Sequence, residues 1–150
     1  MKFSILLMSL IGLMLLSCRK TLSDTVPTSL DGTWKMIIVK ENATSASITK
    51  PSSILADVII TFVPKSSTTG TFSGKTPSND LTGFGIWSNA YTVGPNQTIS
   101  IPNLSMTKVG ETSWGSQFVD NIRDAQQYSF ETGGKLNIMT VNKTLTFQKL

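Results

Sequence analysis

The sequence predicts a mainly β domain with one helix (α+β), folded as a small antiparallel β-barrel or roll of about eight strands. Short runs of β-branched and aromatic residues alternate with turns rich in Gly, Pro, Asn and Ser, as in many-stranded β proteins. A single segment near residues 113–126 has helical periodicity, and we expect this helix to cover one side of the barrel. Apolar residues make up 39% of the chain and charged residues 15%, which indicates a folded domain.

The first half of the domain is predicted to be strands separated by polar loops. Its pattern gives the following order: a strand in which Trp34, Met36 and Ile38 could face the core, a loop at 42–53, a strand at 57–63 ended by Pro64, a turn at 65–69, a short strand at 70–74 and a loop at 75–80. Ile37 and Val39 blur the alternation of the first strand, so a strand covered on both faces is the alternative there.

The middle of the chain contains an aromatic stretch between glycines. Phe84 and Trp87 lie in it, and it leads into a strand at 91–93 and a turn at 94–96. Residues 98–106 are expected to form the next strand, with a bulge or kink at Pro102, where the alternation slips by one residue.

The helix and the final hairpins have the clearest patterns in the chain. The helix has an apolar stripe that we expect to pack into the core, formed by Trp114, Phe118, Ile122 and Ala125. Thr112 or Ser113 could cap this helix, and Glu111 is favourably placed near its positive end. After it, Tyr128 and Phe130 point the same way from one strand. The run 132–135 predicts a tight turn, because its glycines tolerate a positive φ. The last two strands carry Leu136 with Ile138 and Leu145 with Phe147.

The N-terminus predicts export and lipid attachment. Lys2 precedes an apolar run of about 14 residues, too short to span a bilayer as a helix, which needs about 20. The run ends in Leu15-Leu16-Ser17-Cys18, which resembles a bacterial lipobox, where the signal peptide is removed before a lipidated Cys. We therefore expect residues 1–17 to be a lipoprotein signal peptide, residues 18–29 a lipidated flexible tether and residues 30–150 the domain.

Composition excludes several kinds of active site. The chain has no histidine, which excludes Ser-His-Asp and Cys-His catalysis and histidine zinc sites. Cys18 is the only cysteine, so a lipidated chain has neither a disulfide nor a free thiol. The charge of +4 falls to +3 once Lys2 is removed, and the lysines are scattered, so nucleic-acid binding is not expected.

Carboxylate pairs give no active site either. Asp120 and Asp124 are four residues apart on the predicted helix, and we interpret them as a solvated face. No run has the spacing of a calcium-binding loop. We therefore predict no catalytic residues, no cofactor and no metal, while the ligand-binding residues stay unassigned.

Several weak motifs, in order over residues 30–150, resemble the META/HslJ family of lipocalin-like domains found in bacterial lipoproteins. They are Gly32-Thr33-Trp34, the strand 58–62, Gly74, Ser78-Asn79, Asn89-Ala90-Tyr91, the segment 99–107, the helix with Phe118, and the segments 136–138 and 145–147. Gly-x-Trp also resembles the lipocalins proper, whose Trp closes one end of the barrel.

The resemblance implies a fold more than a mechanism. Family members are linked to envelope stress, drug tolerance and motility, without a known reaction. This chain departs from the family in carrying Ser78 where a Cys is common, in lacking a second Cys after the position of Thr107, and in a longer stretch from Asn79 to Tyr91.

Three functions are compatible with these patterns. The preferred one is a membrane-anchored, non-catalytic envelope lipoprotein that binds an envelope protein or surface component. Phe84, Trp87 and Tyr91 are candidate exposed anchors for it, although a bulged strand that packs them into the core is the favoured interpretation of this stretch. The alternative is a lipocalin-type carrier with an internal cavity. Many bulky inward candidates favour a packed core instead: Trp34, Met36, Phe62, Phe72, Phe130, Phe147, Trp114 and Phe118. An enzyme using carboxylates has the least support.

Location follows from the residues beside the anchor. Arg19 follows Cys18, in place of the Asp that marks inner-membrane retention in some bacteria, which favours the outer membrane. Arg19 and Lys20 are also close enough to the anchor to contact anionic headgroups.

Overall fold

The computed structural model describes residues 26–81, 89–107 and 109–150. Within these ranges the chain is mainly antiparallel β-structure with one helix, which confirms the predicted fold class. The elements are β1 (Gly32–Glu41), β2 (Ser47–Thr49), β3 (Ile59–Pro64), β4 (Thr69–Lys75), β5 (Ala90–Val93), a 3₁₀ turn (Pro95–Gln97), β6 (Ile99–Ser100), α1 (Ser113–Ile122), β7 (Ala125–Glu131), β8 (Lys135–Thr140) and β9 (Lys143–Lys149).

The strands form one sheet that closes almost completely on itself. Eight strands follow the order β6-β5-β4-β3-β1-β9-β8-β7, and β2 pairs with β1 outside this path. Strand β1 therefore joins two meanders, one running from β3 to β6 and the other from β7 to β9. Thr98, the residue before β6, forms an isolated bridge with Gln127 of β7, so the barrel-shaped sheet is nearly closed.

Strand β1 changes its inward residues partway along its length. Its register with β9 shifts between Met36 and Ile38, which marks a β-bulge. As a result Val39 is buried and Ile38 is only half-buried, so the expected inward position of Ile38 was wrong. A bulge inserts one residue, and this reverses the alternation beyond it.

The predicted bulky residues do fill the core. Seven of the eight are buried with at most 3% exposure: Trp34, Met36, Phe62, Phe72, Trp114, Phe118 and Phe147. The eighth, Phe130, is partly buried and packs against this cluster. Their rings pack edge to face where elements meet, as in Phe118 of α1 and Phe147 of β9, whose centroids are 6.4 Å apart.

The β7–β8 turn has the predicted conformation. Gly133 and Gly134 adopt φ values of +74° and +70°, which glycine reaches without a steric penalty.

Helix α1 begins as predicted but ends earlier. Thr112 is its N-cap, and its hydroxyl accepts a hydrogen bond from the Gly115 N–H at 3.1 Å. The helix ends at Ile122, and Ala125 already belongs to β7, where it pairs with Thr140. The predicted end near residue 126 was wrong because a buried Ala125 fits the apolar stripe of a helix and the inward face of a strand equally well.

Two further segments differ from the prediction. The expected loop at 42–53 contains β2, which forms a hairpin with the second half of β1. The expected strand at 98–106 is regular only in β6, although Ile101 and Leu104 beyond it are buried. Pro102 has no N–H to donate to a ladder, which agrees with the end of the strand at Ser100.

Candidate functional site

The barrel is least complete where β6 and β7 meet. Among the described residues, the only bridge here joins Thr98, just before β6, to Gln127, although β7 is seven residues long. The edge of β7 from Tyr128 to Glu131 therefore lacks a paired strand on this side. We call this edge, with the side chains of Tyr128 and Phe130, the seam. Unpaired strand edges are places where other molecules can bind.

Aromatic rings line the seam from the core to the surface. Tyr128 and Phe130 are half-buried, with ring centroids 5.6 Å apart, and Phe130 also stacks on Trp34 at 6.1 Å. Trp34 is fully buried, and its indole N–H donates to the Leu30 carbonyl at 2.7 Å. The ammonium of Lys149 lies 5.3 Å from the Trp34 ring centroid. The seam therefore presents aromatic surface held in place by a buried Trp.

Polar groups gather beside these rings. Tyr91 is buried, with its ring edge to face on Phe62 at 5.2 Å and close against Gly70, where a Cβ would not fit. Burial raises the pKa of Tyr91, and the negative charge of Asp31 and the proximity of Tyr128 raise it further. At neutral pH Tyr91 is therefore a neutral phenol, suited to hydrogen bonding rather than to proton abstraction.

The opposite end of the barrel holds a buried polar cluster around Asn79. Its amide nitrogen donates to the Val109 carbonyl at 3.0 Å and to the Glu111 carboxylate at 2.8 Å. Its amide oxygen accepts from the Thr107 hydroxyl at 3.0 Å and from the Val109 N–H at 2.9 Å. All four hydrogen-bonding positions of this amide are used, so the cluster has a structural role.

Glu111 links this cluster to the start of α1. Its carboxylate also accepts from the Thr76 hydroxyl and from the Thr112 N–H, the latter at 2.9 Å. Burial acts to raise the pKa of Glu111, but the hydrogen bonds outweigh it, first those from Thr76 and Asn79, and the net pKa is lowered. A Cβ at Gly115 would collide with this carboxylate, so the helix needs a glycine there.

A second buried asparagine, Asn89, forms hydrogen bonds with the irregular segment that precedes α1. The Asn89 amide donates to the carbonyls of Leu81 at 3.0 Å and Ser105 at 3.1 Å, and accepts from the Ser105 N–H. Asn79 and Asn89 belong to two of the motifs that resemble the META/HslJ family. The structure gives both of them architectural positions.

The remaining residues that the sequence singled out do not come together in one site within the described ranges. Asp124 lies beyond the end of α1, so it does not share a helix face with Asp120. Tyr91 is a core residue and not an exposed anchor, while Phe84, Trp87 and Cys18 lie outside the described residues. No group of three potential metal ligands occurs within the described ranges.

The seam was not identified from the sequence. The matched direction of Tyr128 and Phe130 was predicted, but a local pattern does not reveal that β7 is an edge strand, since that depends on pairing with β6. The proximity of Asp31 to Tyr91 also arises only on folding.

Comparison with family models, curated proteins and solved structures finds no match to this chain. Within the part of the chain that is described, no helix has both the length and the hydropathy needed to cross a membrane.

The chain has only two tyrosines, which makes the electrostatics of the seam measurable. In a Tyr128→Phe background, Asp31→Asn should lower the pKa of Tyr91, because a negative charge near the phenolate is removed. Ultraviolet absorbance of the phenolate during an alkaline titration measures this. The exposed, more distant Asp80→Asn serves as the control and should leave the titration unchanged. An equal response to both substitutions would contradict the proximity of Asp31.

Glu111 should make the domain sensitive to acid. Its pKa is lower in the folded state than the ordinary value of 4.5, so its contribution to stability is complete above that value. The contribution is lost as the pH falls through the lowered folded-state pKa. Glu111→Gln should destabilise the domain at pH 7 by about 1–3 kcal/mol, because hydrogen bonds to a charged group are lost.

Urea unfolding of both proteins between pH 7 and pH 3 measures this difference, which should shrink as the pH falls. Asp120→Asn, an exposed carboxylate on the same helix, is the matched control. A difference that stays constant with pH would show that Glu111 does not stabilise the fold through its charge.

Proposed function

We propose that this chain is a lipid-anchored, non-catalytic cell-envelope lipoprotein whose barrel domain binds a partner molecule. The anchor is supported by the run Leu15–Cys18, which has the residue types of a lipobox and contains the only cysteine of the chain. Arg19 after that cysteine favours the outer membrane. The resemblance to META/HslJ domains supports a role in envelope stress.

The observation that carries the binding proposal is the seam. Tyr128 and Phe130 are half-buried on a strand whose edge is unpaired within the described residues, and Phe130 is fixed against Trp34 at 6.1 Å. Fixed aromatic rings contribute strongly to interfaces, because little side-chain entropy is lost when they are covered.

The number of bulky side chains buried in the core favours a surface site over an enclosed one. Residues from strands and helix contribute to this core together, among them Phe62, Phe118 and Phe147 at 0% exposure. A barrel of about eight strands has room for side chains or for one small ligand. A carrier with an internal cavity is therefore the alternative function, and its ligand would have to enter at the seam.

A non-catalytic role is supported by the residues that come together. The chain has no histidine, and Tyr91, buried in the core near Tyr128, holds its proton at neutral pH. The seam suits recognition by stacking and by hydrogen bonds.

Anchoring is tested by changing the lipidated position. Cys18→Ser should abolish the mass added by the acyl chains and leave residues 1–17 attached, because a lipobox signal peptide is removed only before a lipidated Cys. Ser17→Ala keeps a small residue before the cysteine and should leave lipidation and cleavage unchanged. Mass spectrometry of the N-terminus is the measurement, and an unmodified Cys18 in mature protein would rule out the anchor.

Partner binding is tested with a photoreactive aromatic amino acid. Replacing Tyr128 by p-benzoylphenylalanine keeps a ring at the seam, and irradiation of cells should give a defined adduct. The same replacement of Gln126, an exposed residue of the same strand, should give much less. The adduct mass separates the two functions, since a protein partner adds many kilodaltons and a small ligand does not. Equal yields at both positions would show that the seam is not the binding surface.

A further inference from the structure

One end of the barrel receives the chain from the N-terminal side. Strand β1 begins there, just after the buried Leu30, and β9 ends there, since Trp34 pairs with Lys149. The β3–β4 turn at 65–68 and the β7–β8 turn at 132–134 lie at the same end. We call this the tethered end. Helix α1 and the Asn79 cluster lie toward the other end.

The length of chain before Leu30 limits how far this end can move from the anchor. Leu30 lies twelve positions after Cys18, with eleven residues between them. A chain of that length reaches at most about 40–43 Å when fully extended. Because the chain enters the barrel at the tethered end, a lipid on Cys18 brings this end, and not the α1 end, nearest to the bilayer.

Charge at the tethered end favours contact with an anionic surface. Lys65, Lys135 and Lys149 lie on its two turns and on the last strand, against Asp31 and Glu131. Lys65 and Lys149 are exposed. Lysines held near a membrane are attracted to anionic lipid headgroups over about a Debye length.

Exposed apolar and aromatic groups accompany these lysines. Val63 is 51% exposed and Leu150 is 65% exposed, and both lie at the tethered end. The half-buried rings of Tyr128 and Phe130 are on the part of β7 nearest this end. Tyr is a residue that favours the interface between headgroups and acyl chains.

We propose that the tethered end docks on the anionic surface of the bilayer that holds the anchor, with Lys65, Lys135 and Lys149 against the headgroups. Helix α1 then faces away from the membrane. The proposal rests on the lipidation of Cys18 proposed above. It identifies lipid as the partner of the tethered end, and it places the seam at the membrane interface.

Lysine reactivity tests docking without any change to the chain. Full-length protein produced in a lipoprotein-exporting bacterium is reconstituted into phosphatidylcholine vesicles with or without phosphatidylglycerol, and a water-soluble acetylating reagent is added. Mass spectrometry then gives the acetylation rate of each lysine. On anionic vesicles, Lys65 and Lys149 should react at least threefold more slowly than in detergent. Lys40 and Lys75, exposed toward the other end, are the internal controls and should not change.

The outcomes separate the docking from the anchor. We expect Lys65 and Lys149 to be protected from acetylation on anionic vesicles. This protection should be weaker on neutral vesicles and in high salt. Equal rates at both ends, or stronger protection of Lys40 and Lys75, would overturn the docking. If mass spectrometry shows Cys18 unmodified, the proposed function fails. Coupling that thiol to a maleimide lipid then restores the tether, so the docking is measured independently.

Discussion

The pairing of β1 with its neighbours is the constraint on which the rest of the structure depends. Strand β1 pairs with β3 and β2 on one side and with β9 along almost its whole length on the other. Within the described residues, the two meanders are joined in the sheet only by β1 and by the isolated bridge between Thr98 and Gln127. Trp34, buried in the first half of β1 with its N–H satisfied by Leu30, anchors the pairing in the core. The seam exists because closure is complete at β1 and incomplete at β7.

Local patterns predicted much of the fold, because many of its elements have local causes. The paired glycines of the β7–β8 turn, the threonine cap of α1 and the alternation of Leu145 and Phe147 each act within a few residues. The bulge after Met36 was not predictable in this way. It depends on the register between β1 and β9, which are more than 100 residues apart. Strand β2 and the C-terminal end of α1 were missed for a related reason, since tertiary pairing overrides weak local preferences there.

The candidate site was predictable only in its parts. The direction of Tyr128 and Phe130 followed from strand alternation, and the burial of the bulky inward candidates followed from strand and helix periodicity. That Tyr91 is buried beside Asp31, and that β7 is an edge, are properties of the closed sheet. The asparagines of the family-like motifs were visible in the sequence, but their full set of hydrogen bonds shows that Asn79 and Asn89 support the loops around α1. Asn79 and Asn89, which belong to two of the motifs, therefore have structural roles in this chain.

The pairing of the first strand with the last has a consequence for how the protein matures. Trp34 lies opposite Lys149, and Glu41 lies opposite Lys143. A nascent chain that still lacks β9 leaves β1 without a partner on that side, so the sheet stays open. Contacts between residues so far apart in the sequence also form slowly, because the entropy cost of closing a long loop comes before the contacts can stabilise the fold. The topology thus delays completion of the sheet until the last strand has been synthesised and can pair with β1.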